Sequence, residues 1–222
     1  FPSVVKSTSR SAKTQATVRG WRGRLDRARD LPYMSTRPGG SSDNTKPASV
    51  AGVRAVVLVG FMGAGKSSVG AALGRRLGWP FEDLDERIQA REQRSIEHIF
   101  RHSGEDAFRQ LEHAALASLL AEVGASARVV ALGGGAFAQA NNAALLQADG
   151  FSTIFLDAPV EELFRRCRQQ QVDRPMRGDL DEFRRLYETR RPCYLKAGLR
   201  IDTAGKDVDG VAAEVIDGLG LR

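Results

Sequence analysis

The segment Gly60-Phe61-Met62-Gly63-Ala64-Gly65-Lys66-Ser67 constrains the fold of this chain more than any other feature. It follows the pattern G-x-x-x-x-G-K-[ST], in which glycines let the backbone turn sharply between a strand and a helix. The surrounding sequence fits this pattern, because the apolar run Ala55–Val59 precedes the segment and a helical pattern over residues 66–77 follows it. The chain is therefore predicted to build a parallel sheet with helical crossovers.

The same segment predicts phosphate binding. Backbone N–H groups in such a loop point at phosphate oxygens beside a helix N-terminus. Lys66 is expected to reach the β- and γ-phosphates of a nucleotide, and the Ser67 hydroxyl to ligate Mg²⁺. A glycine-rich turn without a ligand is the alternative, but the Lys and Ser after the last glycine favour nucleotide binding.

Short apolar runs alternate with amphipathic stretches from Arg54 onward. Strands are predicted at Ala55–Val59, Phe81–Leu84, Arg128–Leu132, Phe151–Leu156 and Leu199–Ile201. Helices are predicted at residues 66–77, 95–102, 107–123, 141–148, 160–169, 180–194 and 208–219. This alternation predicts a three-layer α/β/α domain over residues 53–222, with a five-stranded parallel sheet.

Residues 1–52 have a different composition. They contain thirteen Ser/Thr, and ten basic against three acidic residues, a charge of +7 that leaves −1 for the remainder of a chain whose total is +6. Without helical or strand periodicity, they are predicted to form a disordered basic N-terminal extension. Three origins stay open: an organelle transit peptide, residues upstream of a start at Met34, or a genuine tail.

Composition also excludes several classes of protein. The longest apolar run, over residues 55–63, is shorter than the about 18 residues of a membrane span. Two cysteines, Cys167 and Cys193, cannot form a disulfide framework or paired Cys-x-x-Cys zinc sites, and they favour a reducing, cytoplasmic location. We expect a monomer that acts on small molecules, without a nucleic-acid or membrane partner.

The second predicted strand ends in Asp83-Leu84-Asp85. Alternation along a strand would direct both carboxylates to one face at the ligand-binding edge of the sheet. One could then serve as a metal ligand and the other as a proton acceptor. The alternative is an ordinary helix start, with Asp85 as the N-cap of residues 86–91. No N-K-x-D element is present, which argues against a GTPase.

Two further features concern the phosphoryl acceptor. Gly133-Gly134-Gly135 directly follows a predicted buried strand, where it exposes bare backbone to a group that approaches closely. Arg109, Arg174 and Arg190 are candidate clamps for a carboxylate or a phosphate. The alternatives are a flexible turn and solvated helix-face charges.

Together these motifs resemble the shikimate kinase family, within the nucleoside-monophosphate-kinase-like group of P-loop kinases. The resemblance covers about residues 54–219. It rests on the P-loop and on four further segments: Phe81-Glu82-Asp83-Leu84-Asp85, residues 95–109 with Gly104-Glu105-Asp106-Ala107-Phe108-Arg109, Leu132-Gly133-Gly134-Gly135-Ala136, and Asp173-Arg174-Pro175-Met176.

The resemblance implies a P-loop kinase fold and ATP- and Mg²⁺-dependent phosphorylation of shikimate at its 3-hydroxyl, a step toward chorismate. It implies catalytic roles for Asp85 as the base, Lys66 and the lid residue Arg174. The resemblance implies that the nucleotide is bound by Gly63, Ala64, Gly65, Lys66, Ser67, Ser68, Arg166 and Arg174. It implies that Mg²⁺ is bound by Ser67 and Asp83. The acceptor is expected to be bound by Asp85, Arg109, Gly133, Gly134, Gly135 and Arg190, with Glu112 orienting Arg109.

Two other functions remain as alternatives. A kinase of the same group acting on another small hydroxy acid, such as gluconate, would also use paired arginines. A catalytically silent P-loop domain could instead bind nucleic acid through its basic tail. The presence of Lys66, Ser67, Asp83 and Asp85 argues against the silent domain, because it would have no chemical need for all four.

Overall fold

The structure is a computed structural model that describes residues 52–123, 126–147, 151–169 and 179–221. Five strands form one sheet in the order β2-β3-β1-β4-β5, and all neighbouring strands are parallel. They are β1 (Ala55–Val59), β2 (Phe81–Asp83), β3 (Arg128–Ala131), β4 (Phe151–Asp157) and β5 (Leu199–Asp202). The predicted five-stranded parallel sheet is confirmed, with strand ends that differ from the prediction by at most one residue.

The described helices are α1 (Lys66–Leu77), α2 (Leu84–Glu92), α3 (Ile96–Ala121), α4 (Ala140–Leu145), α5 (Val160–Gln169), α6 (Leu180–Tyr194) and α7 (Val208–Gly218). A short 3₁₀ turn, Ala136–Ala138, precedes α4. Two predicted helices form the continuous α3, which is kinked at Gly104, where φ is +81°. Within the described ranges, no helix combines the length and apolar character that a membrane span requires.

The helices lie in two layers around the sheet. Helices α1 and α7 contact each other on one face, while α2 to α6 form a chain of contacts on the other. This division follows from the strand order, because the β1–β2 crossover runs toward one sheet edge and later crossovers run toward the other. All five residues of β1 are buried between the layers. The predicted three-layer α/β/α domain is confirmed.

Strand order also sets the position of the site. Strands β1 and β3 are neighbours, yet the chain leaves them in opposite directions across the sheet. The loops that follow these two strands therefore border one crevice at the carboxyl edge. Open α/β sheets bind ligands at such a switch point.

Candidate active site

The loop between β1 and α1 has glycine where its geometry requires one. At Gly63, φ is +81° and a Cβ would overlap the carbonyl oxygen of Leu163 in α5. Gly65 is the N-cap of α1 with φ +86°, and the space around its Cβ position is open. At Gly65 the left-handed backbone alone calls for glycine. Both glycines thus support the sharp turn into α1.

Lys66 and Ser67 occupy the first turn of α1. The Lys66 ammonium donates to the carbonyl oxygens of Gly60 and Phe61, both at 3.0 Å, so it lies over the loop. The Ser67 hydroxyl donates to Oδ2 of Asp83 at 2.6 Å. Ser67, in the helix that follows β1, and Asp83, at the end of β2, therefore meet beside the loop.

Asp83 ends β2 and begins α2. Its Oδ1 accepts a hydrogen bond from the backbone N–H of Asp85 at 3.0 Å, which makes Asp83 the N-cap. The alternative that made Asp85 the cap is wrong. The expected alternation of two carboxylates along a strand is also wrong, because the strand ends at Asp83. The first turn of α2 nevertheless brings both carboxylates to one pocket.

Ser67 and Asp83 form a set of oxygen donors that fits Mg²⁺. Magnesium prefers oxygen ligands and is usually held by one or two protein groups, with water and substrate phosphates completing its octahedron. The hydroxyl and the carboxylate are 2.6 Å apart and lie beside the phosphate-type loop. Residues that would hold the metal, and space for phosphates next to it, are thus both present.

A small pocket of about 70 Å³ connects the loop after β1 with the loop after β3. Both carboxylates, the P-loop and the start of the glycine loop line it: Gly63, Gly65, Lys66, Ser67, Ser68, Asp83, Asp85, Leu132, Gly133 and Gly134. A phosphoryl group bound by the P-loop would therefore face the Asp85 carboxylate. Such an arrangement brings a phosphoryl donor and an acceptor group together.

The glycine loop 133–135 is shaped by its neighbours rather than by unusual backbone angles, since φ lies outside the left-handed region at all three residues. A Cβ at Gly133 would overlap Oδ1 of Asp85, and one at Gly135 would lie 2.7 Å from Nη2 of Arg109. The approaching groups are thus two of the predicted acceptor-site residues. A flexible turn alone would not explain why these positions have no room for a Cβ atom.

Arg109 is held on α3 by two carboxylates. It donates to Oε2 of Glu112 at 2.9 Å and, through Nε and Nη2, to Glu105 at 3.2 and 3.0 Å. Burial raises the pKa of Glu112, which is 1% exposed, while Arg109 opposes that shift. Burial lowers the pKa of Arg109, but the two carboxylates outweigh it and the net shift is upward. The predicted orienting role of Glu112 agrees with this geometry.

Arg190 approaches the same loop from α6. Its guanidinium lies 5.9 Å from the centre of the Phe61 ring and interacts electrostatically with Tyr194. Its Nη1 would lie 3.8 Å from a Cβ at Gly134. Glu112 interacts electrostatically with both guanidiniums, which places Arg109 and Arg190 in one region. The two arginines therefore converge, as clamps for one anion would.

A wider cleft of about 600 Å³ extends from the P-loop toward α7. Arg166 lines it and donates to Glu162 at 2.7 and 3.1 Å and to the hydroxyl and carbonyl of Thr203 at 3.0 and 2.7 Å. These bonds lie in the guanidinium plane, so the flat faces remain for stacking against a base. The sequence motifs did not indicate the role of Glu162, and the available signal was its i, i+4 spacing from Arg166.

Two predicted nucleotide-site residues, Ala64 and Ser68, also line this cleft. The predicted lid residue Arg174 lies outside the described residues. All other predicted site residues belong to the two cavities or to the clamps around the glycine loop. The two cavities share Gly63, Gly65 and Ser68 and therefore adjoin at the P-loop.

Replacement of Gly133 with Ala tests the steric requirement. The new methyl group must displace the Asp85 carboxylate, which is the movable end of a side chain, so we expect a small change in unfolding free energy. Misplacement of a reacting group by about 1 Å lowers turnover by roughly 10- to 100-fold. Gly198→Ala is the control, since its Cβ would lie in ordinary contact, 3.6 Å from Thr153. Equal turnover in the two variants would contradict the argument.

Comparison with known proteins identifies relatives of this chain. The family model described as shikimate kinase matches residues 62–219. A shikimate kinase from Geobacter sulfurreducens is 44% identical over 165 residues, which cover 73% of this chain and 88% of the relative. The family-model match runs from Met62 of the P-loop through α7 and includes every residue that lines the two cavities.

Solved structures agree with the sequence matches. A shikimate kinase from Acinetobacter baumannii in complex with shikimate has a TM-score of 0.69 and 32% identity, covering 75% of this chain and 93% of the other. A gluconokinase from Sinorhizobium meliloti, with a TM-score of 0.53, 22% identity and coverage of 75% and 91%, shares the fold alone. Because the family model matches most of the chain and relatives are similar over nearly their whole length, this chain belongs to the shikimate kinase family.

Proposed function

We propose that this chain transfers the γ-phosphoryl group of ATP to the 3-hydroxyl of shikimate, giving ADP, shikimate 3-phosphate and a proton. One observation carries the proposal: the 70 Å³ pocket joins the P-loop to Asp85 and the glycine loop. Family membership supports the substrates. Phosphoryl transfer requires this kind of juxtaposition, because its catalysis depends mainly on positioning and charge stabilisation.

On the acceptor side, Arg109 and Arg190 would hold the shikimate carboxylate through charge-assisted hydrogen bonds. The glycine loop would admit the flat ring, since it offers backbone without side chains at the pocket wall. Asp85 would orient the 3-hydroxyl and accept its proton as the oxygen–phosphorus bond forms. Its position against Gly133 supports this role, because the loop and the carboxylate fit closely.

On the nucleotide side, backbone N–H groups of residues 63–68 would bind the phosphates, and Lys66 would neutralise charge on the β- and γ-phosphoryl oxygens. Ser67 and Asp83 would hold Mg²⁺, which supplies positive charge between those phosphates when bound. Arg166 would stack on the adenine. The lid residue Arg174 is proposed to close over the transferring group.

ADP release measured with different acceptors tests the proposed reaction. We expect ATP- and Mg²⁺-dependent ADP formation with shikimate, and only background release with gluconate or without an acceptor. A gluconate rate equal to the shikimate rate would favour the other kinase function. Two arginines would suit either carboxylate, but a close-fitting glycine loop suits a ring better than a flexible chain.

We propose that residues 53–222 carry the whole activity and that the basic segment 1–52 adds no catalytic residue. A chain beginning at Val50 should keep its turnover, and its thermal midpoint should stay within about 2 °C of the full chain. A mobility-shift assay on both chains tests the nucleic-acid alternative. Tight binding that depends on residues 1–52, together with absent kinase activity, would support the silent domain instead.

We also propose that the protein acts as a monomer in a reducing compartment. Every site residue assigned above belongs to this chain, which supports a site that works without a partner copy. Cys167 and Cys193, which both lie within the described residues, form no disulfide. Sedimentation at assay concentration checks the first point: turnover that rises with a monomer–dimer transition would oppose it.

A further inference from the structure

Tyr194, the last residue of α6, connects two parts of the acceptor site. It is buried, with 1% of its surface exposed. Its hydroxyl donates to the carbonyl oxygen of Gly134, which lies 60 residues away in the sequence. The Arg190 guanidinium interacts electrostatically with the same side chain. Tyr194 thus contacts the glycine loop and interacts with a clamp arginine.

We propose that Tyr194 is a positioning residue of the acceptor site, whose hydroxyl holds the glycine loop in place beside the Arg190 guanidinium. The proposal rests on the proposed function for the identity of the acceptor. The hydrogen bond to Gly134 does not depend on that identity. Tyr194 acts through Gly134 and Arg190 and needs no contact with the substrate.

The ring of Tyr194 is a rigid support for this hydroxyl. It packs against Phe155 of the central sheet, with ring centres 5.3 Å apart. Phe155 is itself buried in β4. A tyrosine has only two side-chain torsions, so burial of the ring leaves its hydroxyl little freedom. The oxygen is therefore fixed relative to the sheet.

Both groups beside the hydroxyl need such a support. Gly134 has no side chain that could anchor the loop, and glycine backbone is intrinsically flexible. Arg190 has a long side chain with many rotamers, and an ordered guanidinium must lose that freedom before it binds an anion. A guanidinium has five N–H donors, so its interaction with Tyr194 leaves donors for a carboxylate.

The hydroxyl can serve both groups. It supplies one proton, which goes to the Gly134 carbonyl, and its oxygen carries a partial negative charge that favours a nearby guanidinium. Burial raises the pKa of Tyr194 to about 12. The hydroxyl therefore stays protonated at neutral and mildly alkaline pH.

Tyr187 offers a matched control on the same helix. It is also buried, and its hydroxyl donates to Oδ1 of Asp157 at 2.8 Å and accepts from Nε of Arg191 at 3.0 Å. Replacement of either tyrosine with Phe removes one buried hydroxyl from α6 and keeps the ring. Only Tyr194→Phe removes the contact with the glycine loop.

Steady-state kinetics on the full chain separate positioning from stability. Loss of a neutral hydrogen bond typically changes affinity by roughly 2- to 12-fold. For Tyr194→Phe we expect a shikimate KM raised by about that factor, with the ATP KM within twofold of wild type. For Tyr187→Phe we expect the two KM values to keep their wild-type ratio. An unchanged shikimate KM in Tyr194→Phe, or the same profile in both variants, would overturn the proposal.

A second measurement needs no turnover. Loss of the bond to the Gly134 carbonyl should shift the amide resonance of Gly135 in Tyr194→Phe, and not in Tyr187→Phe, in ¹⁵N-labelled protein without substrates. An unshifted Gly135 resonance in Tyr194→Phe would overturn the proposal. A wild-type chain inactive on shikimate would refute the proposed function alone, because the resonance still tests the loop contact.

Discussion

Asp85→Asn is expected to lower turnover by roughly 10²- to 10⁴-fold, the usual range for a positioned general base. Asparagine keeps the shape of the side chain beside Gly133 but cannot accept the hydroxyl proton. The loss should lie toward the low end of this range, because a loose phosphoryl-transfer transition state needs little help from a base. Turnover at saturating ATP and shikimate measures the effect.

The fold should tolerate this substitution. The N-cap of α2 is Asp83, and Asp85 contributes only its backbone N–H to that contact. Helix capping therefore survives, and the thermal midpoint should stay near the wild-type value. Glu86→Gln is the control, since it removes the next carboxylate of the same helical turn at an exposed position. If the turnover of Asp85→Asn stays within about threefold of wild type, Asp85 is not the general base.

Replacement of Arg109 or Arg190 with Ala is expected to weaken shikimate binding by about 2–3 kcal/mol, roughly a 30- to 150-fold rise in Kd. Each substitution removes one of the two guanidiniums that would hold the carboxylate, and it leaves the nucleotide cleft unchanged. ATP affinity should therefore change little. Calorimetric titration of each ligand measures both constants, and an equal loss for ATP would contradict the clamp assignment.

The two variants should differ in stability. Arg109→Ala leaves Glu112 buried without its ion-pair partner, which typically costs about 3–5 kcal/mol of unfolding free energy. Within the described ranges, Arg190→Ala leaves no comparable carboxylate without its ion-pair partner, so the loss of stability should be smaller. The double variant Arg109→Ala/Glu112→Gln should regain stability without regaining shikimate affinity. If the double variant is as unstable as Arg109→Ala, the buried charge is not the cause.

The Arg109→Ala defect should also depend on pH. Burial holds the pKa of Glu112 above its ordinary value, and loss of Arg109 removes an opposing influence. The folded state then binds a proton more tightly than the unfolded state, so stability is highest at acid pH and falls as pH rises above about 4.5. The difference in thermal midpoint from wild type should be larger at pH 8 than at pH 5.5. The opposite trend would exclude this explanation.

Much of the fold was predictable because its signals are local. The glycine spacing of residues 60–65 and the buried run before it specify a strand, a sharp turn and a helix over neighbouring residues. Helices α1, α5 and α6 begin and end at the predicted residues, since their amphipathic patterns are clear. Helix α2 was given only as an alternative, because a carboxylate pair after an apolar residue suits both a strand end and a helix start.

The candidate site was predictable as a set of residue types, but not as a set of contacts. The arrangement of motifs indicated which loops matter, since strand order follows from right-handed crossovers and directs those loops to one edge. It did not indicate that Asp83 rather than Asp85 caps α2, or that Gly133 and Gly135 make room for Asp85 and Arg109. Backbone geometry in the first turn of α2 decided the cap, and side-chain packing decided the glycines.

The sequence by itself determined the fold class, the phosphate-binding loop and the charged residues available for chemistry. Only the tertiary structure decided their partners, such as Thr203 for Arg166 and Gly134 for Tyr194. The physical reason is distance along the chain: these pairs are 37 and 60 residues apart. Helical and strand periodicity relates only near neighbours, whereas these hydrogen bonds require several elements to pack around one sheet.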